Sequence, residues 1–83
     1  MSGASAAHTT DGREEMVLRG VRCPLNWARA KVRLEEMSVG TRLLLVVDDA
    51  RAVRDIPRAA EAHGYAVLGV QDLGDGWRIE IER

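Results

Sequence analysis

The sequence predicts an α/β (α+β) domain of order β-α-β-α-β-β, with a four-stranded mixed sheet and two helices on one face. Three patterns point to it. Trp27, Ala30, Leu34 and Met37 recur at helical spacing. Leu43 to Val47 is an unbroken β-rich apolar run, as in a buried central strand. Trp77 to Ile81 alternates apolar and charged residues behind Asp75-Gly76, a hairpin signal.

Residues 1–13 are small, polar and aperiodic and read as a disordered tail; residues 14–83 read as the folded domain. Met16 to Arg19 is the first strand, with Met16 and Leu18 on one face. Gly20, Val21 and Arg22 form a tight connection. Pro24 suits the first helical position, where a missing N–H costs nothing, and this makes Cys23 the N-cap. Arg29, Arg33 and Glu36 fall on the outer face of this helix, and Gly40 fits the turn after it. Asp48 and Asp49 end the central strand. Ala50 to His63 is a second helix, with Asp55 as its N-cap and Pro57 in the first turn behind it. Ile56, Ala59, Ala60 and His63 form its inner stripe, and Gly64 suits its C-terminal turn. Tyr65 to Val70 is the third strand. In the fourth, Trp77, Ile79 and Ile81 face inward and Arg78, Glu80 and Glu82 outward. The strand-helix-strand start favours a parallel crossover, and the last pair an antiparallel hairpin.

With 83 residues the chain makes one small domain, burying only about 60% of its unfolded surface. A hydrophobic fraction of 46% and a charged fraction of 30% fit a soluble globular protein. The formal net charge of -1 argues against a non-specific nucleic-acid binder. The longest apolar run is too short to span a membrane, and the N-terminus lacks the pattern of a secretory signal. An unpaired cysteine in such a chain suggests the reducing cytoplasm. The dispersed histidines and cysteine make no zinc site. Gly74-Asp75-Gly76 reads as a hairpin rather than a phosphate loop.

Cys23 is the only cysteine, so it has neither an internal disulfide partner nor a CxxC mate. At an N-cap, its sulfur would accept from the N–H groups of Leu25 and Asn26 and would feel the positive end of the helix dipole. Both effects favour the thiolate, the nucleophilic form, and Arg22 beside it adds to them. The contrary reading is a small buried core residue. Arg22, Arg29 and Arg33 form either a basic surface that docks an acidic partner or an ordinary solvated helix face. Asp48, Asp49 and Arg54 either shape the surroundings of the cysteine or cap and brace the second helix. His63 reads as a helix-end cap rather than a base. Trp27 and Trp77 read as core.

Leu18-Arg19-Gly20-Val21-Arg22-Cys23-Pro24-Leu25 resembles the signature of the TusA-like (SirA-like) sulfur carriers. Asp48-Asp49 followed by Arg54-Asp55-Ile56-Pro57 is a second match, and the resemblance spans about Met16 to Ile81. It implies a two-layer α/β sandwich in which Cys23 carries sulfur as a persulfide, with no other cofactor and no metal. It implies a cysteine desulfurase or rhodanese-like donor and a downstream sulfur acceptor protein. It also implies a use in tRNA thiolation, sulfur metabolism or biosynthesis of a sulfur-containing compound. No direct contact with nucleic acid or membrane is implied. The family pattern is Cys-Pro-x-Pro, and here Asn26 holds the last place, offering an N–H that proline lacks. Asn26 is therefore expected to donate to the Cys23 sulfur. Two other functions stay open: a non-catalytic binding or regulatory module with a structural cysteine, and an RNA-binding domain. The near-neutral charge and the lack of an aromatic-basic stripe weigh against the second.

Overall fold

Leu43, Leu45 and Val47 alternate along a central strand and stand opposite Ile81, Ile79 and Trp77 of its antiparallel neighbour. This apolar face is what the helices cover. The computed structural model describes residues 9–10 and 13–83. Among them the elements are β1 (Thr9–Thr10), β2 (Arg13–Val17), α1 (Leu25–Glu36), β3 (Arg42–Val47), α2 (Ala50–Ala62), β4 (Ala66–Asp72) and β5 (Trp77–Glu82). The sheet order is β1-β2-β3-β5-β4. β2 and β3 run parallel across the α1 crossover, and β5 is antiparallel to both β3 and β4. The predicted four-stranded mixed sheet with two helices is therefore present, extended at one edge by the two residues of β1.

Both helices pack through alanines set around one large aliphatic side chain each. α1 contributes Ala30 and Leu34, and α2 contributes Ala52, Ile56 and Ala60, all fully buried with the β3 and β5 residues. Trp27 and Trp77 pack against this core while remaining half-buried. The opposite face of the sheet is polar along β5, where Glu82, Glu80 and Arg78 pair with Arg42, Leu44 and Val46.

Several boundaries move. β2 begins at Arg13, within the expected tail, and β1 pairs antiparallel with its start. The rest of that tail, residues 1–8 and 11–12, lies outside the described residues. β2 ends at Val17, and Leu18 turns inward, its N–H held by the Val46 carbonyl at 2.7 Å and its side chain buried. β4 runs later than Tyr65–Val70, as an edge strand with an irregularity between Val67 and Gly69. α2 is capped by Asp49, whose side chain accepts from the Arg51 N–H, and not by Asp55. The inner stripe is Ala52, Ile56 and Ala60, so a helix starting behind Asp55 would leave Ala52 outside it. Pro57 consequently lies inside the helix rather than in its first turn, and its missing N–H leaves the Val53 carbonyl without the usual helical donor. His63 is exposed and ends the helix, its backbone N–H returning to Ala59 and Ala60.

Close approach fixes one glycine. A Cβ on Gly76 would lie 2.5 Å from the Val47 carbonyl oxygen, so the β4–β5 turn can reach the end of β3 only with glycine there.

Leu45 is fully buried on the middle strand. Leu45→Ala should lower the unfolding free energy by about 2–5 kcal/mol in urea denaturation. That is a large share of the roughly 5–15 kcal/mol that holds a domain together.

Candidate functional site

The parallel pairing of β2 with β3 brings Val17 beside Val46. The loop leaving β2 and the residues ending β3 must therefore meet at the same edge, outside the carboxyl ends of the strands, where open α/β sheets place their sites. The loop turns at Leu18–Val21, with the Val21 N–H bonded to the Leu18 carbonyl at 3.1 Å. Gly20 occupies the left-handed region at φ 78 that this turn needs. The Gly20 N–H donates to both oxygens of Asp48, at 3.0 and 3.1 Å. The Cys23 N–H donates to Asp49 Oδ2 at 3.0 Å, while Asp49 Oδ1 accepts from the Arg51 N–H at 3.0 Å. The two readings of Asp49 thus hold together: it caps α2 and it braces the cysteine.

The start of α1 corrects the expected cap. The Cys23–Pro24 peptide is cis, and Pro24, not Cys23, occupies the N-cap, with no side-chain cap bond. The Asn26 N–H donates to the Arg22 carbonyl at 3.1 Å rather than to the sulfur. The Asn26 side chain is fully buried. Its Oδ1 accepts from the Trp27 N–H at 2.7 Å, and its Nδ2 donates to the Val21 carbonyl at 3.3 Å. Asn26 therefore closes the helix start and ties it to the loop.

The sulfur faces α2 instead. Cys23 Sγ donates to Asp55 Oδ2 at 3.8 Å. Burial pushes the thiol above its ordinary pKa, the charges of Asp55 and Asp49 push it further, and Arg51 partly opposes them. The thiolate bias expected at a helix start is thus reversed. Asp49 is held below the usual carboxylate range, chiefly by the N–H groups of Cys23 and Arg51, with Arg51 and Arg22 adding their charge. Arg22, expected to act on the sulfur, acts on its brace. Arg51, which the sequence did not single out, is the cation that acts on the sulfur.

Of the other predicted site residues, Leu25 begins α1 and is 51% exposed. Arg29 is exposed on α1. Arg33 is engaged within the domain: its Nε and Nη2 grip both oxygens of Glu14 on β2, and its Nη1 holds Glu36 at 3.0 Å. Arg54 lies 3.5 Å from Asp55 Oδ1. The His63 ring contacts the Ala59 carbonyl at 2.9 Å, a helix-end role. An open cleft of about 550 Å³ runs beside the half-buried cysteine, lined by Gly20, Arg22, Cys23, Asp49 and Arg51 among others. Among the described residues, no group of three or more His, Cys, Asp or Glu is placed to hold a metal, and no helix is long and apolar enough to cross a membrane. The arrangement offers a single thiol at the mouth of a cleft, suited to exchange with a sulfur brought in from outside.

Asp55 was not foreseen as the partner of the thiol. The signal was the spacing of Ala52, Ile56 and Ala60, which starts the helix at Ala50 and so puts Asp55 within it, beside the buried Ile56.

The family model described as Sulfurtransferase TusA matches residues 16–83. A candidate sulfur carrier protein of Archaeoglobus fulgidus is 36% identical over 84 residues, covering 100% of this chain and 96% of that protein. The candidate sulfur carrier TsuB of Escherichia coli K12 is 34% identical over 62 residues, covering 74% of this chain and 83% of its own length. The crystal structure of a SirA-like protein from Desulfitobacterium hafniense superposes with a TM-score of 0.72 at 23% identity, over 82% of this chain and 93% of that one. That likeness extends to the fold.

Two outcomes follow from the geometry. The rate of Cys23 alkylation by iodoacetamide should rise with pH around a midpoint above that of a free thiol, and a midpoint below it would contradict the arrangement around Asp55. Asn26→Ala should lower the unfolding free energy by about 1–3 kcal/mol in urea, because it strands the Trp27 N–H and the Val21 carbonyl.

Proposed function

The chain belongs to the TusA sulfurtransferase family, and from that premise we propose that it is a sulfur carrier that holds sulfur as a persulfide on Cys23. The observation that supports this most is the position of the one cysteine. It is braced by its own N–H to Asp49, beside an open cleft and inside the region matched by the family model.

Loading begins when the Cys23 thiolate attacks the outer sulfur of a donor persulfide. The donor cysteine leaves as its thiolate, and Cys23 becomes a persulfide. Delivery begins when an acceptor thiolate attacks the outer sulfur of that persulfide. The sulfur–sulfur bond breaks, its electron pair returns to Cys23, and the acceptor keeps the sulfur. Neither step needs an external oxidant or cofactor. The donor is a cysteine desulfurase or a rhodanese-like protein, and the acceptor is a protein cysteine in a sulfur-transfer pathway. Exposed Leu25 and Arg29, on the helix directly behind Cys23, give such partners an apolar and a cationic contact.

Mass spectrometry after incubation with a cysteine desulfurase and cysteine, or with a rhodanese and its sulfur donor, tests the proposal. A gain of one sulfur that is absent in Cys23→Ser supports the carrier. No adduct with either donor would instead favour a binding module with a structural cysteine.

A further inference from the structure

Asp55 lies on α2 with one carboxylate oxygen 3.8 Å from Cys23 Sγ, while Arg54 sits 3.5 Å from the other. Its side chain is 45% exposed, so a bound protein can reach it. The remaining charges around the sulfur divide in sign: Asp49 adds to the negative side, and Arg51 opposes it. Arg22 is exposed on the loop and bears on Asp49. Among the described residues Asp55 makes no backbone cap, and its bond to the loop is the one it accepts from the Cys23 thiol. Among the described residues its recorded polar contacts are Cys23 and Arg54.

We propose that Asp55 is a positioning residue that restrains sulfur exchange at Cys23, slowing both gain and loss of sulfur until a partner presents a cation to its carboxylate. This rests on the carrier reading of Cys23. The chemistry of exchange gives the direction. When an acceptor thiolate attacks the outer sulfur of the Cys23 persulfide, the breaking bond delivers its electron pair to Sγ. Sγ departs as a thiolate and then takes a proton from water; the outer sulfur and its proton stay on the acceptor. A carboxylate beside Sγ opposes that developing negative charge, and a thiolate of higher proton affinity leaves more slowly. In loading, the same carboxylate keeps more of Cys23 in the unreactive thiol form. A cation placed on Asp55 by a bound protein removes both restraints at once. Cys23 then passes sulfur readily inside a complex and reluctantly to small thiols in solution.

The size of the effect is modest because the carboxylate is partly exposed. A unit charge at this separation under water-like screening acts only weakly on the neighbouring sulfur. With a rate sensitivity of about one half, exchange changes by about threefold.

Wild type, Asp55→Asn and Asp55→Glu are each loaded with inorganic polysulfide. Loss of the added sulfur to glutathione is then followed by mass spectrometry, and the pH dependence of Cys23 alkylation is measured on the unloaded proteins. Asp55→Asn should release sulfur about threefold faster, with its alkylation midpoint moved to lower pH. Asp55→Glu, which keeps the charge, should stay with wild type on both. Equal release by all three loaded proteins would remove the role of Asp55 and leave the carrier reading standing. An alkylation midpoint unmoved in Asp55→Asn overturns the proposal whether or not sulfur is loaded. Failure of wild-type Cys23 to take up any sulfur overturns the carrier reading and this proposal with it.

Discussion

Two adjacent carboxylates at the end of β3 hold the loop that carries Cys23. Asp48 takes the Gly20 N–H with both oxygens, and Asp49 takes the Cys23 N–H with one oxygen and caps α2 with the other. The loop between β2 and α1 is anchored by buried Leu18 and by Val21 against the core, and the rest of its shape comes from these bonds and from the turn at Gly20. They are available only because the parallel β2–β3 ladder places the ends of both strands side by side. The sheet, the crossover and the second helix thus meet at one residue pair, and the position of the thiol depends on it.

The same bracing gives the site its electrical character. A helix start would by itself draw a sulfur toward the thiolate. Here the Arg22 carbonyl takes the Asn26 N–H, Asn26 Oδ1 takes the Trp27 N–H, and the sulfur turns to Asp55 on the neighbouring helix. Burial and two carboxylates then outweigh Arg51 and raise the thiol pKa. A carrier differs in this from an enzyme that must attack unaided. A very acidic thiol would be mostly ionised, but it would be a weaker nucleophile and would part with its sulfur easily. A less acidic one keeps what it holds until its surroundings change.

The outer parts of the fold divide the remaining work. Arg33, gripping Glu14 and Glu36, fastens α1 to β2 and leaves Arg29 as the cation of that helix face exposed near Leu25. The β4–β5 turn leans on the end of β3 through Gly76. Arg19 reaches it from the loop side, donating to the Asp75 carbonyl at 3.0 Å and lying 3.3 Å from its carboxylate. The cysteine loop is therefore held on two sides by elements distant in sequence, and the cleft beside it is the side left open.

By itself the sequence determined the order of elements, the central strand and the core stripe of α1, because these depend on local periodicity. Alternation at Trp77, Ile79 and Ile81 and recurrence at Ala30, Leu34 and Met37 can each be read without knowing what lies opposite. It also marked Cys23 and the two motifs around it, since a lone cysteine before a proline is visible in one dimension. Which donor meets which acceptor was decided only by the tertiary structure. The N-cap assigned to Cys23 failed because Asn26 folds back on its own helix. The cap assigned to Asp55 failed because burial of Ala52 keeps the first turn of α2 at Ala50, where Asp49 caps it. The engagement of Arg33 could not be read because Glu14, nineteen residues away in sequence, lies beside it across the crossover. Hydrogen bonds and charges act over a few ångströms, and such neighbours are set by packing between segments far apart in the chain. The sequence could single out the cysteine, but not the carboxylate that faces it.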